Sequence, residues 1–308
     1  MKHDETLPQK LVNMLSEKSF VIFLFHGVIN QSNYSVRNYT RKHILTDLFS
    51  KCLKLLKENG KAISMDEILY FNKNNLQIPP KSFAITFDDG FENNISIASP
   101  ILYDLKIPAT IYVTTDFIEK NSMSWIDRIE FALENTSIKS FEIEFFKKKL
   151  LINDNRSKIN FLSKVRQFLK NSSECNPFIF ADTVCDLLGF PNLISSDDIL
   201  DKKMSWKQVS LAHNSDLLNI GGHSHTHAIL SHLDEKQLAF ELDTSIELLK
   251  KKAGIKTYHY SYPEGLEHCF SKYVIESLKK RGVSCCPTAM KGINKINEDL
   301  FLLKRVMV

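Results

Sequence analysis

The chain has 308 residues and a formal net charge of +4; 43% of its residues are hydrophobic and 25% are charged. This length suits one large α/β domain or two small ones, with enough apolar residues for a sizeable core. So small a net charge gives no sequence-wide basic field, which argues against nucleic acid as a partner. The local runs Lys147-Lys148-Lys149 and Lys250-Lys251-Lys252 read as solvated helix faces. The six cysteines are scattered and form no CxxC pair, so reduced thiols packed as small hydrophobes are expected. The charged start, Met1 to Thr6, has no apolar segment behind it and does not read as a secretory signal. The strongest early apolar run, Phe20 to Phe25, is six residues long, against about 20 for a bilayer span. A cytoplasmic protein without a stable membrane anchor is therefore expected.

In chain order, short apolar runs suggest strands at Phe20–Phe25, Phe83–Phe87, Ala109–Thr114, Leu217–Ile220, Tyr258–Tyr262, Val283–Pro287 and Leu300–Val306. Helical spacing lies between them. Ile44, Leu48, Cys52, Leu55 and Leu56 share one face, as do Leu238, Leu242, Ile246 and Leu249. The latter helix should start at an Asp234 N-cap with Gln237 completing a capping box. Strand–helix alternation implies α/β architecture: a parallel sheet with helices outside, either open or closed into a barrel. From about Asp127 to Met204 the rhythm breaks. That stretch reads as a mainly helical insertion carried by a single domain spanning residues 1–308.

Two clusters carry chemistry. Thr86-Phe87-Asp88-Asp89-Gly90 ends an apolar strand in two acids. Adjacent carboxylates repel each other, and a metal would remove that cost for one of them. A plain Asp-Gly turn is the bland alternative. Gly221-Gly222-His223-Ser224-His225-Thr226-His227 is the second cluster. His223 and His227 would share a face on a helix turn, and all three histidines would do so on an extended segment. Two histidines with a carboxylate and an open position form a catalytic metal arrangement. Both clusters follow an apolar strand, where sites in parallel barrels are built. His26-Gly27, Thr114 to Asp116, and Pro263 to Gly265 share that placement.

These residues resemble the polysaccharide deacetylases of carbohydrate esterase family four, which carry the nodulation-type chitooligosaccharide deacetylase domain. Thr-Phe-Asp-Asp-Gly is similar to the first motif of that family and His223-Ser224-x-x-His227 to its second. Phe25-His26-Gly27-Val28 looks like the first-strand signature of the exopolysaccharide branch. The similarity covers roughly residues 18–120 and 204–308, and the fold it implies is a deformed (β/α) barrel with fewer than eight regular units.

The resemblance implies that Asp89, His223 and His227 hold a divalent metal, with zinc the expected ion, and that Asp88 is the general base. His225 falls at a variable position and would not be a ligand. Ser261-Tyr262-Pro263-Glu264-Gly265 occupies the place of a third motif, but has no arginine before the proline. The backbone N–H of Glu264 would be the oxyanion donor. Arg305 resembles a late arginine of the exopolysaccharide branch and would pair with Asp88. The family's late Leu-x-x-His motif is not visible, so His26 and His259 are both candidates for the general acid. Trp125, Asp127 and Arg128 are candidates for the substrate groove or for ordinary helix-start packing; Trp206 reads as core.

The implied activity is hydrolysis of an N-acyl, expectedly acetyl, group on an amino-sugar small molecule or oligosaccharide in a glycan-precursor or surface-polysaccharide pathway. Hydrolysis of another non-peptide C–N bond on the same metal is one alternative. A non-catalytic glycan-binding protein on a decayed barrel is another.

Overall fold

The computed structural model describes residues 6–31, 33–146, 148–171 and 175–308. Met1 to Glu5, on which the reading of the chain start rests, lie outside the described residues, as does Lys147 of the first lysine run.

Ten strands are present among the described residues. They are β1 (Phe20–Phe25), β2 (Gly27–Ile29), β3 (His43–Leu45), β4 (Lys61–Ala62), β5 (Ser82–Phe87), β6 (Ala109–Val113), β7 (Ser140–Ile143), β8 (Lys148–Leu151), β9 (Leu218–Gly222) and β10 (Val306–Met307). The main sheet runs β10-β1-β5-β6-β9, with β4 paired to the start of β5, and every pairing in it is parallel. All six residues of β1 and of β5 are buried, as expected for a parallel sheet covered on both faces.

The remaining staves are irregular. Tyr258–Tyr262 and Val283–Pro287, expected as strands, contribute only single bridges: Gly222 to Tyr260, and His259 to Cys285. Prolines 263 and 287 end each run, since neither can donate to a ladder. The Cys286 N–H donates to Leu300 O, Thr288 N–H to Leu303 O, Arg305 N–H to Met290 O, and Val308 N–H to Leu24 O, which returns the path to β1. The result is a deformed barrel, closed by individual hydrogen bonds where ladders are missing.

Period-two alternation sorts β5. Phe83, Ile85 and Phe87 face the helices, whereas Ala84 packs in a separate cluster with Cys285 and Leu303. Thr86 shares that second side, with its hydroxyl hydrogen-bonded to Phe23 O. The outer face is covered by helices such as Thr46–Asn59, which buries Phe49, Cys52, Leu53 and Leu56. Ile44, expected on that helix, lies instead in β3, so the apolar face starts a turn later. Helix Glu235–Ala253 has the expected Asp234–Gln237 capping box and ends at Gly254 with φ 73°. Lys250, Lys251 and Lys252 lie exposed in its last turn, where cations suit the helix dipole. Lys148 and Lys149 are not helical. They belong to β8, paired antiparallel with β7.

Between Trp125 and Leu188 the chain builds helices Trp125–Asn135, Asn155–Asn171 and Pro177–Leu187 around the β7–β8 hairpin. These pack on a hydrophobic cluster of their own, including Ile129, Leu133, Leu162, Val165 and Val184. The described cysteines are all free, and five of the six are buried. Among the described residues no helix is long and apolar enough to cross a membrane.

Candidate active site

Alternation along β5 carries on past its end. Asp88 follows Ala84 and Thr86 in phase, and its N–H still donates to Phe25 O at 3.1 Å. Its carboxylate meets Arg305 in a fork: Nη1 to Oδ1 at 2.8 Å and Nη2 to Oδ2 at 2.8 Å. Arg305 is fully enclosed and spends its other donors on Thr288 O (2.6 Å) and Ser261 Oγ (2.7 Å). Burial alone would raise the Asp88 pKa. The Arg305 charge, helped by His223, outweighs burial and holds it below the usual carboxylate range. Asp88 is therefore an oriented carboxylate that keeps its charge at neutral pH.

Asp89 would point away from Asp88 if the strand continued. It has φ 74° instead, and Gly90 after it also has φ 74°. A non-glycine residue in the left-handed region is uncommon and concentrates at functional sites. This turn brings both carboxylates to one space.

The histidine cluster is neither a helix turn nor an extended strand. It is a loop leaving β9, with Ser224 at φ 61° and His227 at φ 64°, and these two reversals point the imidazoles of His223 and His227 at Asp89. Asp89 Oδ1 lies 3.6 Å from His223 Nε2 and 3.3 Å from His227 Nε2. Burial lowers the His223 pKa and keeps the ring neutral. Its Nδ1 lies 2.9 Å from Ser261 O, a contact that places the proton on Nδ1 and leaves the Nε2 lone pair free. Burial would also lower His227, but contact with the Asp89 carboxylate reverses this and leaves it above its ordinary value. Burial pushes Asp89 up; Lys42, then His227, overcome this and hold it well below the carboxylate range.

One ligand atom from each of Asp89, His223 and His227 lies within 4.8 Å of the other two, a possible metal site. Asp89 Oδ1 is buried with no hydrogen-bond partner among the described residues, although two imidazole nitrogens face it. A carboxylate oxygen and two imidazole nitrogens that converge on one space suit a divalent ion, so the residues fit the metal expected from the sequence.

Several site residues escaped the sequence reading. Lys42 Nζ lies 2.9 Å from Asp89 Oδ2 and 3.3 Å from Asp127 Oδ2, so it holds the carboxylate oxygen turned away from the histidines. Glu241, from helix Glu235–Ala253, accepts from the His225 N–H (2.8 Å), the Thr226 N–H (2.9 Å) and the Thr226 hydroxyl (2.6 Å). It fastens the loop that carries His223 and His227. Ser261 serves His223 through its carbonyl and Arg305 through its hydroxyl. Lys42 and Glu241 have no local signature, and Ser261, although it opens the third motif, carries no sign of these two roles; the three come from segments far apart in the chain. The capping box of Glu241's own helix was the one visible hint that this helix is firmly placed.

His26 follows β1 beside the site, half-buried, with its carbonyl accepting from Asn94 Nδ2 at 2.7 Å. Burial pushes its pKa down to about 4 against the pull of Asp89 and Asp88, so the ring is neutral at rest. Gly27 behind it is required, because a Cβ there would stand 2.0 Å from His43 Nδ1. His259 is not brought to the site. Its Nε2 contacts Asp66 at 2.6 Å, and Asp66 is shared with Asn219 near the start of β9, the end away from His223. His225 is turned away too, towards Thr115 Oγ1 at 2.9 Å and the Phe240 ring.

Glu264 has φ 59° and is the middle of a three-residue turn in which the Gly265 N–H donates to Pro263 O at 2.7 Å. Among the described residues its own N–H donates to nothing. Its side chain, with His227, Trp125, Lys170, Phe178 and Ile229, lines a cavity of about 350 Å³ beside the possible metal site. Asp127 is drawn to Lys42, while Arg128 pairs with Asp182 on helix Pro177–Leu187 and so lies outside the cavity lining. Trp206 packs against the main core, and its Nε1 donates to Glu119 at 2.6 Å.

A deformed parallel barrel sets an arginine-forked carboxylate next to a two-histidine, one-aspartate cluster that could hold a metal, an arrangement suited to hydrolysis. The sequence matches the family model described as polysaccharide deacetylase over residues 76–286, and the chain belongs to that family. Two curated relatives are poly-β-1,6-N-acetyl-D-glucosamine N-deacetylases of Staphylococcus aureus. One, from strain MRSA252, is 29% identical over 133 residues, 42% of this chain and 44% of that protein. The other, from strain MSSA476, is 31% identical over 99 residues, 32% of this chain and 33% of that protein. The chain thus spans less than half the length of the curated relatives it matches. Among solved structures, IcaB from Ammonifex degensii aligns with a TM-score of 0.60 at 18% identity, over 96% of this chain and 93% of that one. The deacetylase PplD of Streptococcus pyogenes, in complex with acetate, aligns with 0.59 at 16% identity, over 94% and 92%. At these identities the structural likenesses speak for the fold.

Proposed function

We propose that the chain is a metal-dependent N-deacetylase acting on an amino-sugar residue of a surface polysaccharide or its precursor. The observation that carries this reading is the pairing of Asp88, charged and forked by Arg305, with an Asp89–His223–His227 set whose central oxygen is unpartnered. Asp89, His223 and His227 would hold the ion, with zinc the favoured identity. When bound, such an ion supplies Lewis-acid polarisation of the acyl carbonyl and a lowered pKa for an attacking water.

The chain's residues do the rest. Asp88 accepts the proton of the attacking water, and Arg305 keeps that carboxylate charged and aimed. The Glu264 N–H, left free by its turn, donates to the oxygen as charge develops on it. The proton that Asp88 has taken is returned through His26, whose imidazole is neutral at rest and free to receive it, to the leaving amine, which resets both groups. The cavity between Trp125, Phe178 and the His227 loop takes the sugar, with aromatic faces against its apolar side. The cytoplasm as compartment stays part of this proposal, checked by fractionating cells that make the chain at native level.

The reading is supported by the family and by relatives named for N-acetylglucosamine polymers. It is tested by incubating the purified chain with β-1,6-linked N-acetylglucosamine oligomers, their N-formyl analogues and N-acetylated nucleotide sugars. Acetate release from at least one acetylated sugar is expected. Formate release alone would shift the function to another C–N bond, and no product from any substrate, with metal bound, would point to a binding protein.

A further inference from the structure

We propose that the helical insertion is a working part of the active site, with Lys170 acting as a positioning residue for the oxyanion loop. This rests on the reading of the Glu264 N–H as oxyanion donor. The Pro263–Gly265 turn is a tight one, with Glu264 at φ 59° and Gly265 at φ 60°. A three-residue turn with its central residue at positive φ is rare and strained, and such a conformation persists only when its surroundings hold it. On one side the barrel does so: the Ala289 N–H donates to Gly265 O at 2.8 Å, and a Cβ on Gly265 would stand 2.5 Å from Ala289 N.

The other side is held by the insertion. Lys170, near the end of helix Asn155–Asn171, makes an ion pair with the Glu264 carboxylate. The Lys170 carbonyl also lies 3.1 Å from Nε2 of His268, four residues beyond Glu264. The helix that carries these contacts is anchored in the insertion's own core through Leu162, Val165 and Leu169. Burial would raise the Glu264 pKa, and Lys170 and His227 bring it below the ordinary glutamate value, so the carboxylate is charged to receive the ammonium. Lys170 and Glu264 both line the cavity beside His227, and the pair is only partly exposed. A lysine–glutamate pair on an open surface is worth little, but one that closes a strained turn beside a cavity fixes geometry. The acid at position 264 is what gives Lys170 a partner.

The test uses the full chain with metal bound and the variants Lys170→Met, Lys170→Arg and Glu264→Gln. Amide hydrogen exchange over residues 261–266 is expected to speed up about tenfold in Lys170→Met and in Glu264→Gln, as a locally held turn opens more often, and to return towards wild type in Lys170→Arg. On an acetylated oligomer that the wild type turns over, kcat should fall about 10- to 100-fold in Lys170→Met with KM little changed, the cost of an ångström-scale misplacement. Unchanged exchange in both disrupting variants would overturn the proposal. So would a rise in KM with kcat intact, which would make Lys170 a groove contact only. Should Lys170→Met fail to fold, Glu264→Gln probes the same pair from the other side and keeps the donor N–H. A wild-type chain that releases no acetate would count against the proposed function, and the exchange measurement would then decide the latch by itself.

Discussion

Asp88→Asn is expected to lower kcat by about 10²- to 10⁴-fold, the range for removing a positioned general base, while leaving metal binding within a few-fold of wild type. The asparagine keeps the shape but cannot take a proton. The proposed metal cluster is Asp89, His223 and His227, and the Asp88 carboxylate stands 3.9 Å from His223 Nε2. The two effects should therefore separate. Initial acetate release, measured beside zinc content in the same preparation, checks this. Near wild-type turnover in Asp88→Asn would remove Asp88 as the base, and loss of metal would mean that it belongs to the ligand set.

Arg305→Met is expected to cost about 3–5 kcal/mol of stability at pH 7, because it strands a buried carboxylate without its partner. The pair is enclosed, with Arg305 at 1% and Asp88 at 4% exposure, so solvent screening does not discount it as it would a surface bridge. The pH dependence has a definite sign. Asp88's pKa in the folded chain lies below its ordinary value, so its stabilising contribution is present above the unfolded carboxylate pKa of about 3.9 and fades as pH falls through the folded value. The deficit of Arg305→Met relative to wild type should then be largest near neutral pH and shrink on acidification, where the stranded carboxylate takes up a proton. Urea unfolding of the metal-free proteins at several pH values measures it. Combining Arg305→Met with Asp88→Asn should recover part of the loss, since no buried charge is left unpaired. A deficit that does not change with pH and is not relieved in the double variant would assign Arg305 to packing.

The parts of the site legible in the sequence are those written in short range. Asp88 and Asp89 end an uninterrupted apolar strand, and His223 and His227 follow another, so placing both at one barrel rim needed only the alternation of strands and helices. The conformations that make them converge were not legible. Nothing local announces that Asp89, Ser224 and His227 adopt positive φ, and reading the histidines as a helix turn or an extended segment missed the loop that aims them. Strands near Tyr258 and Val283 were overestimated because apolar runs do not reveal that a stave is held by one bridge. Arg305 could be paired with Asp88 through the family resemblance, 217 residues away, whereas Lys42 could not: its role exists only where the loop after β2 crosses the rim. His259 shows the opposite failure. It seemed as good an acid as His26, but its partner Asp66 enters from the start of a helix at the other end of the barrel.

The most direct test of the account is a zinc titration of chelator-treated chain, following bound metal and acetate release together, in wild type and in His227→Ala. The wild type should bind one ion per chain, be inactive without it, and regain turnover in proportion to occupancy, while His227→Ala should bind far more weakly and stay inactive at the same zinc concentration. Full turnover by the metal-free wild type, or unchanged zinc affinity in His227→Ala, would contradict the assignment of Asp89, His223 and His227 as the metal centre of a deacetylase.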